Sequence, residues 1–403
     1  MRDVDINLEI VAVGERILAE ATRLSVPRYP GTPGDHQTIA EVEKRLVAAG
    51  LQTELQWFSY DLAPANRTLR TVLVIGALLA GAAGFVVLRS PLAGVLVLLG
   101  ALLPGLVFLA WSPWLERLYR RDGPTRTANV IGRRSVKDPT LTLIVMAHHD
   151  SKSQSLSFPY RMGLTLTAVA AASVLVVLVV AGIITGQTPG PGWLGPTAGC
   201  AAGVAALILS TMRSGDLSPG GVDNAGSTAI LLELARTLPE MIRERVELVF
   251  LSTGAEEDHM IGAMRWLEAN EGVFGDRPVF CLNFDGAGAP GRTVLIERFG
   301  FGRMFSQPMS AAARRAAITL RIPVRGILML PGIGIDAIPF AHHGIQCLTL
   351  SSGSLGPATL SVHSANDHPE HLDAATLGRI AELAQQLLVE LSLETVKSPK
   401  SKV

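Results

Sequence analysis

The chain has 403 residues, and its 35 basic and 35 acidic side chains give a formal net charge of zero. That balance speaks against a partner held by bulk charge, so no nucleic acid is expected. Hydrophobic residues make up 48% and charged residues only 17%, which is too apolar for an ordinary water-exposed enzyme and points to lipid-facing segments. Cys200, Cys281 and Cys347 are scattered with no CxxC pair, which excludes a disulfide-stapled scaffold.

In chain order, the first ten residues, MRDVDINLEI, carry three acids and no apolar core, so no signal peptide is expected there. Thr38–Ala49 is amphipathic at helical spacing and stops at Gly50, a plausible C-cap. Two apolar, uncharged stretches follow, Thr71–Leu88 and Leu92–Trp111, parted by Arg89-Ser90-Pro91. A second pair, Leu164–Thr185 and Trp193–Met212, is parted by the Gly- and Pro-rich loop Gly186–Gly192. The four run 18, 20, 22 and 20 residues without an Asp, Glu, Lys or Arg. About 20 apolar residues cross a bilayer core, so four transmembrane helices in two hairpins are predicted. Small residues recur four apart at Gly76, Ala80 and Gly84, and again at Gly195, Gly199 and Gly203, faces that let helices approach closely in lipid.

Outside the hairpins, Leu141–Met146, Val246–Leu251, Val279–Leu282 and Cys347–Leu350 are apolar runs that fit buried strands. Ser227–Leu238 and Ala374–Leu393 are amphipathic helices between and after them. The predicted fold class is α/β, a mostly parallel mixed sheet flanked by helices, with four inserted transmembrane helices. The expected organisation is one α/β domain in three pieces, residues 1–70, 112–163 and 213–396. Hairpins at 71–111 and 164–212 interrupt it, and a basic tail at 397–403 follows. Strand-to-helix loops tolerate such insertions because their ends stay close together.

Five polar clusters follow apolar strands or sit in Gly-rich or polar turns, where open α/β sheets bind ligands. In Ala147-His148-His149-Asp150-Ser151, strand alternation lets Asp150 orient the His148 imidazole; alone, the segment also reads as a polar strand end. Gly220-Gly221-Val222-Asp223-Asn224 enters a helix, and Asp223 there could equally be an N-cap. Thr253-Gly254-Ala255-Glu256-Glu257 puts two adjacent acids at a buried strand end, costly without a nearby positive charge. Asn283-Phe284-Asp285-Gly286 adds another acid, and Val362-His363-Ser364-Ala365-Asn366-Asp367 a second histidine. Together they supply two histidines and three carboxylates, enough for a pair of divalent cations. Oxygen and imidazole donors without thiolate suit hydrolytic Zn²⁺, and paired ions need one bridging carboxylate.

The ordered series AHHDS, GGVDNAGS, TGAEE, NFDG and HSAND resembles the co-catalytic di-zinc aminopeptidase family, which includes bacterial leucine aminopeptidases, aminopeptidase Y and glutamate carboxypeptidase. The likeness extends to Arg28–Gly34 and to Thr127–Ile131, and covers the chain outside the two hairpins. The resemblance implies two zinc ions, although other divalent metals are compatible. One would be held by His148 and Asp285, the other by Glu257 and His363, with Asp223 bridging. It makes Glu256 the general base and Asp150 the partner of His148, with Asp367 a supporting acid. Two positions depart from the family: Val362 stands where an aromatic, often Tyr, commonly precedes the final His, and His149 where Tyr is common. Val362 offers no side-chain donor to an oxyanion, and loss of such a donor costs a few kcal/mol.

A membrane-anchored zinc aminopeptidase acting on peptides is therefore expected, with the bilayer as its second partner and the oligomeric state left open. The alternatives are a glutaminyl cyclase-like zinc acyltransferase, against which Val362 argues, and a non-catalytic binding module, against which the complete ligand set argues. A transporter is set aside for want of any Asp, Glu, Lys, Arg or His within the spans. Arg67, Arg70, Arg117, Arg120, Arg121, Lys152, Arg161 and Arg213 flank the spans on the domain side, and Arg89 alone lies beyond. The positive-inside rule then puts the catalytic domain in the cytoplasm of a multi-pass membrane protein.

Overall fold

The computed structural model describes residues 2–109, 121–187, 190–242, 244–300, 302–330, 333–353 and 356–394; the expected basic tail lies outside them. The chain divides into two units. The first comprises residues 1–59, 123–153 and 215–403, and the second residues 60–122 and 154–214.

The first unit is built on eight strands: β1 (Gln52–Tyr60), β2 (Thr125–Arg134), β3 (Leu141–His148), β4 (Val246–Thr253), β5 (Val279–Phe284), β6 (Arg292–Phe299), β7 (Val324–Met329) and β8 (Gln346–Gly353). They form one mixed sheet in the order β1-β2-β4-β3-β5-β8-β6-β7. At its centre β4, β3, β5 and β8 run parallel, while β2 and β6 run antiparallel to their neighbours β4 and β8. The four apolar runs are all strands, and each extends two or three residues past its run into the polar motif behind it. β6 and β7 had no such signal. β7 is only half-buried, and charged ends at Arg292, Glu297 and Arg298 shorten the apolar run of β6.

The helix Gly226–Met241 packs on β3, β4 and β5. Its Ile230, Leu231, Leu234 and Leu238 share one core with Leu143, Val145 and Phe250. Burial on both faces is why these strands are largely apolar, with Glu247 the one charge in the four runs. The predicted helix at Thr38–Ala49 begins earlier, spanning Pro33–Ala48, because Thr32 caps Asp35 N and Pro33 fits a first turn that needs no N–H.

The second unit holds four apolar helices, Ala63–Val86, Pro91–Leu109, Phe158–Thr185 and Leu194–Ser210. Of the four expected spans, two reach spanning length among the described residues. Ala63–Val86 and Phe158–Thr185 are long and apolar enough to cross a membrane, with only 17% and 28% of their apolar windows buried. The other two pass as shorter apolar helices, Pro91–Leu103 and Leu194–Ser210 among the described side chains. At 1.5 Å per residue, a 17-residue helix spans about 26 Å, short of a hydrocarbon core of about 30 Å. Large apolar side chains point outward: Leu78, Leu92, Leu96, Leu166, Val177 and Ile184 are 60–77% exposed.

Within this unit Ala63–Val86 and Leu194–Ser210 meet backbone to backbone. A Cβ added at Gly84 would lie 2.3 Å from the Gly195 carbonyl oxygen, and one at Gly199 would lie 2.7 Å from that of Ala80. Opposite Gly203 stands Ala77, whereas Gly76 faces Ala101 of the neighbouring helix. Gly199→Leu should therefore force these helices apart, at a cost of about 1–3 kcal/mol or more. Thermal unfolding in detergent should show an earlier transition, and an unchanged one would contradict this packing.

Candidate metal centre

The parallel arrangement of β3, β4, β5 and β8 brings their C-terminal ends to one edge of the sheet. His148 is the last residue of β3, Glu256 and Glu257 follow β4 after a tight turn, and Asp285 follows β5. Asp223 lies in the turn Gly221–Ala225 before the helix Gly226–Met241, joined to Asn224 by a cis peptide bond. His363 has φ +60°, a left-handed conformation costly for a non-glycine residue and concentrated at functional sites.

All five residues predicted as metal ligands converge. His148, Asp223 and Asp285 offer donor atoms within 4.8 Å of one another, as do Asp223, Glu257 and His363. Asp223 belongs to both groups. Its Oδ1 lies 3.2 Å from His148 Nε2 and its Oδ2 lies 3.1 Å from His363 Nε2. Glu257 Oε2 is 3.0 Å from the same His363 nitrogen. Glu256 belongs to neither group, and its Oε2 lies 3.8 Å from His148 Nε2.

The electrostatics describe a site short of positive charge. Burial drives the pKa of Glu256 well above the ordinary range, reinforced by Asp285, Asp336 and Glu257 against the opposing pull of His148. Asp285 is raised in the same way, by burial and then by Asp223 and Asp336, with His148 opposing. Burial works against His363 too, yet Glu257 and Asp223 raise its pKa to about 9. Burial works against the charged form of Asp223 as well, but the adjacent imidazoles of His148 and His363 outweigh it and hold its pKa low. His148 Nε2 and Glu257 Oε1 are buried with no hydrogen-bond partner. Buried polar atoms are rarely left so, and divalent cations between the two groups would satisfy both. The donor set, imidazole and carboxylate without thiolate, fits zinc.

The surrounding residues hold this arrangement. Asp150 lies with its Oδ1 3.5 Å from His148 Nδ1, but the ring nitrogen is nearer the Asp150 carbonyl oxygen, at 3.2 Å. The Asp150 carboxylate accepts the backbone N–H of Glu256 at 3.2 Å and that of Glu257 at 3.1 Å, tying β3 to the paired acids. Asp367 accepts the N–H groups of Val222 and Asp223 at 2.8 and 3.2 Å. Burial, then Asp223, raises the Asp367 pKa to about 7. His149 turns away from both groups, its Nδ1 3.0 Å from Ser252 Oγ and its Nε2 3.5 Å from Asp35. Val362 packs against the hydrophobic core.

Several residues at the site escaped the sequence reading. Asn224 donates to the carbonyls of Phe284 and His148 and accepts from Gly286 N, joining two strand ends. Buried Arg28 donates to the carbonyls of His149, Pro219 and Gly220. Thr253 donates to Asp336, a fully buried acid whose pKa burial lifts to about 7. Lys152 pairs with Glu257 Oε2 at 3.1 Å and donates to the Glu257 carbonyl. Asn224 lay within a quoted motif, and its amide beside the Asp was the only available signal.

This architecture has counterparts. Residues 206–388 match the family model of Peptidase family M28, a span holding Asp223, Glu256, Glu257, Asp285 and His363 but starting after His148. The chain is similar to an aminopeptidase from Aneurinibacillus sp. strain AM-1, with TM-score 0.57, 14% identity and 95% of each chain covered. It is similar to BSAP, a zinc aminopeptidase from Bacillus subtilis, with TM-score 0.56 and 13% identity over 94% of this chain and 95% of that one. Fimbriiglobus ruber glutaminyl cyclase follows with TM-score 0.54 and 12% identity, over 93% and 94%. Transferrin receptor protein 2 of Homo sapiens is 27% identical over 198 residues, 43% of this chain, and the match spans only 25% of that protein's length. The fold is that of solved zinc aminopeptidases, and residues 206–388 resemble Peptidase family M28.

Proposed function

We propose that the protein is a membrane-anchored, two-zinc peptidase that removes N-terminal residues from peptides. The observation that carries this reading is the posture of Asp223, whose two carboxylate oxygens face two different imidazoles at 3.2 and 3.1 Å. Such a carboxylate suits a bridge, with His148 and Asp285 completing one half and Glu257 and His363 the other. Zinc, when bound, would polarise the scissile carbonyl and lower the pKa of the attacking water. Glu256, outside both ligand groups and at their edge, is the base that takes the proton from that water and passes it to the leaving amine. Asp150 keeps the two glutamates in place through their backbone N–H groups.

The test is metal content beside turnover. Full-length protein purified in detergent should hold close to two zinc ions per chain and release amine from a panel of aminoacyl-amides. No divalent metal after supplementation would sink the reading. The likeness to a glutaminyl cyclase supports a second reading on the same residues. It predicts ammonia release from an N-terminal glutaminyl peptide with the peptide bond intact, whereas an aminopeptidase yields free amino acid.

Two apolar helices of spanning length support the anchoring, and the arginine asymmetry supports a multi-pass protein with a cytoplasmic catalytic domain. In a cysteine-free variant, a cysteine at Gln187 should react with impermeant thiol reagents from outside intact cells. One at the exposed Glu271 should be protected until the cells are opened. The reverse pattern would place the catalytic domain outside.

A further inference from the structure

Lys152 follows the AHHDS motif directly, and charge counting alone made it one of several flanking cations. The fold gives it a different place. Its side chain is only 11% exposed, its Nζ lies 3.1 Å from Glu257 Oε2, and it also donates to the Glu257 carbonyl oxygen. Glu257 Oε2 is thus shared between Lys152 and His363 Nε2, at 3.0 Å from the latter, while Oε1 is buried without a partner. The other half of the site differs. Among the described residues Asp285 forms no ion pair with a Lys or Arg, and the charged groups facing His148 are all carboxylates.

We infer that Lys152 is a resident cation of the Glu257–His363 half, a positioning residue that weakens zinc binding there and makes the two ions load in unequal steps. The inference rests on the two-zinc reading above. An ammonium hydrogen-bonded to a ligand carboxylate withdraws electron density from it and stands a few Å from any ion it binds. In a shielded site that repulsion is little screened. Before zinc arrives, the same ammonium compensates part of the charge of Glu257, so the empty half is stabilised against filling. The His148–Asp285 half has no such competitor and fills first.

The test is zinc titration of the full-length protein in detergent against graded chelator, read as bound zinc per chain. The wild type should load in two separated steps, and His363→Ala should remove the weaker one. Lys152→Met should tighten the weaker step by about tenfold or more, the scale of a unit charge removed from beside a cation. Lys152→Arg, which keeps the charge, should leave it near the wild-type value. If Lys152→Met folds poorly, Lys152→Gln carries the same expectation, since it keeps a donor and loses the charge. A lysine that merely orients Glu257 would give the opposite result, a weakening of about 10–100-fold on removal. That outcome, an unchanged affinity, or a single loading step in the wild type would overturn the inference and leave the two-zinc reading standing. Failure to bind zinc at all would instead remove the reading on which it rests.

Discussion

Glu256→Gln should keep both zinc ions and lose about two to four orders of magnitude in turnover, the usual range for removing a general base. The geometry separates Glu256 from its neighbour although both acids sit on one turn. Glu257 shares Oε2 contacts with His363 and Lys152, whereas Glu256 approaches only His148, at 3.8 Å, and stands outside both donor groups. Both backbones are clamped by Asp150, so an amide of the same shape should leave the turn undisturbed. Glu257→Gln should behave differently, weakening one metal site and recovering part of its activity at high zinc. Zinc stoichiometry and turnover, measured together for both variants, decide the matter. Loss of metal from Glu256→Gln with retention in Glu257→Gln would reverse the two roles, and full activity in both would place the chemistry elsewhere.

Asp223→Asn should empty the whole site. Asp223 is the one residue common to both donor groups among the described residues. Each of its oxygens faces a separate imidazole. A neutral amide presents one oxygen, a poorer ligand than a carboxylate, and one NH₂ donor that cannot bind a metal, so both halves lose their shared carboxylate. The backbone should hold, because Asp367 accepts the N–H of Asp223 whatever the side chain. Elemental analysis should therefore find well under one zinc per chain, with turnover lost and the fold kept by circular dichroism. Asp285→Asn should cost only the His148 half, leaving about one zinc. Two zinc ions retained in Asp223→Asn would show that this carboxylate does not bridge.

Much of the fold was legible because burial leaves a mark on sequence. Strands β3, β4, β5 and β8 are covered on both faces, so each reads as a largely apolar run ending in polar residues, with Glu247 near the start of β4 the one charge among the runs. The half-exposed β7 and the charge-interrupted β6 carry no comparable signal and were missed. The hairpins were legible for the same reason in a different solvent, since lipid-facing helices need no polar face. Length was the less readable quantity. A run free of charge marks where a helix is apolar and not where its backbone ends, so among the described residues two of the four predicted spans reach spanning length.

For the site, the sequence by itself determined which residue types stand at the strand ends, and therefore the available chemistry: two imidazoles, several carboxylates and no thiolate. Only the tertiary structure decided how they combine. His148 and His363 are separated by more than two hundred positions, and nothing local requires them to face opposite oxygens of one aspartate. The parallel sheet does so, by bringing four C-terminal strand ends to one edge. The same convergence decided that Asp150 holds the backbone of Glu256 and Glu257, that Asn224 ties three loops together, and that Lys152 lies against Glu257. Each of these contacts joins segments 60 to 107 positions apart, and a residue's type does not say which distant partner satisfies it. Buried polar groups must find one, but only the packed chain shows which.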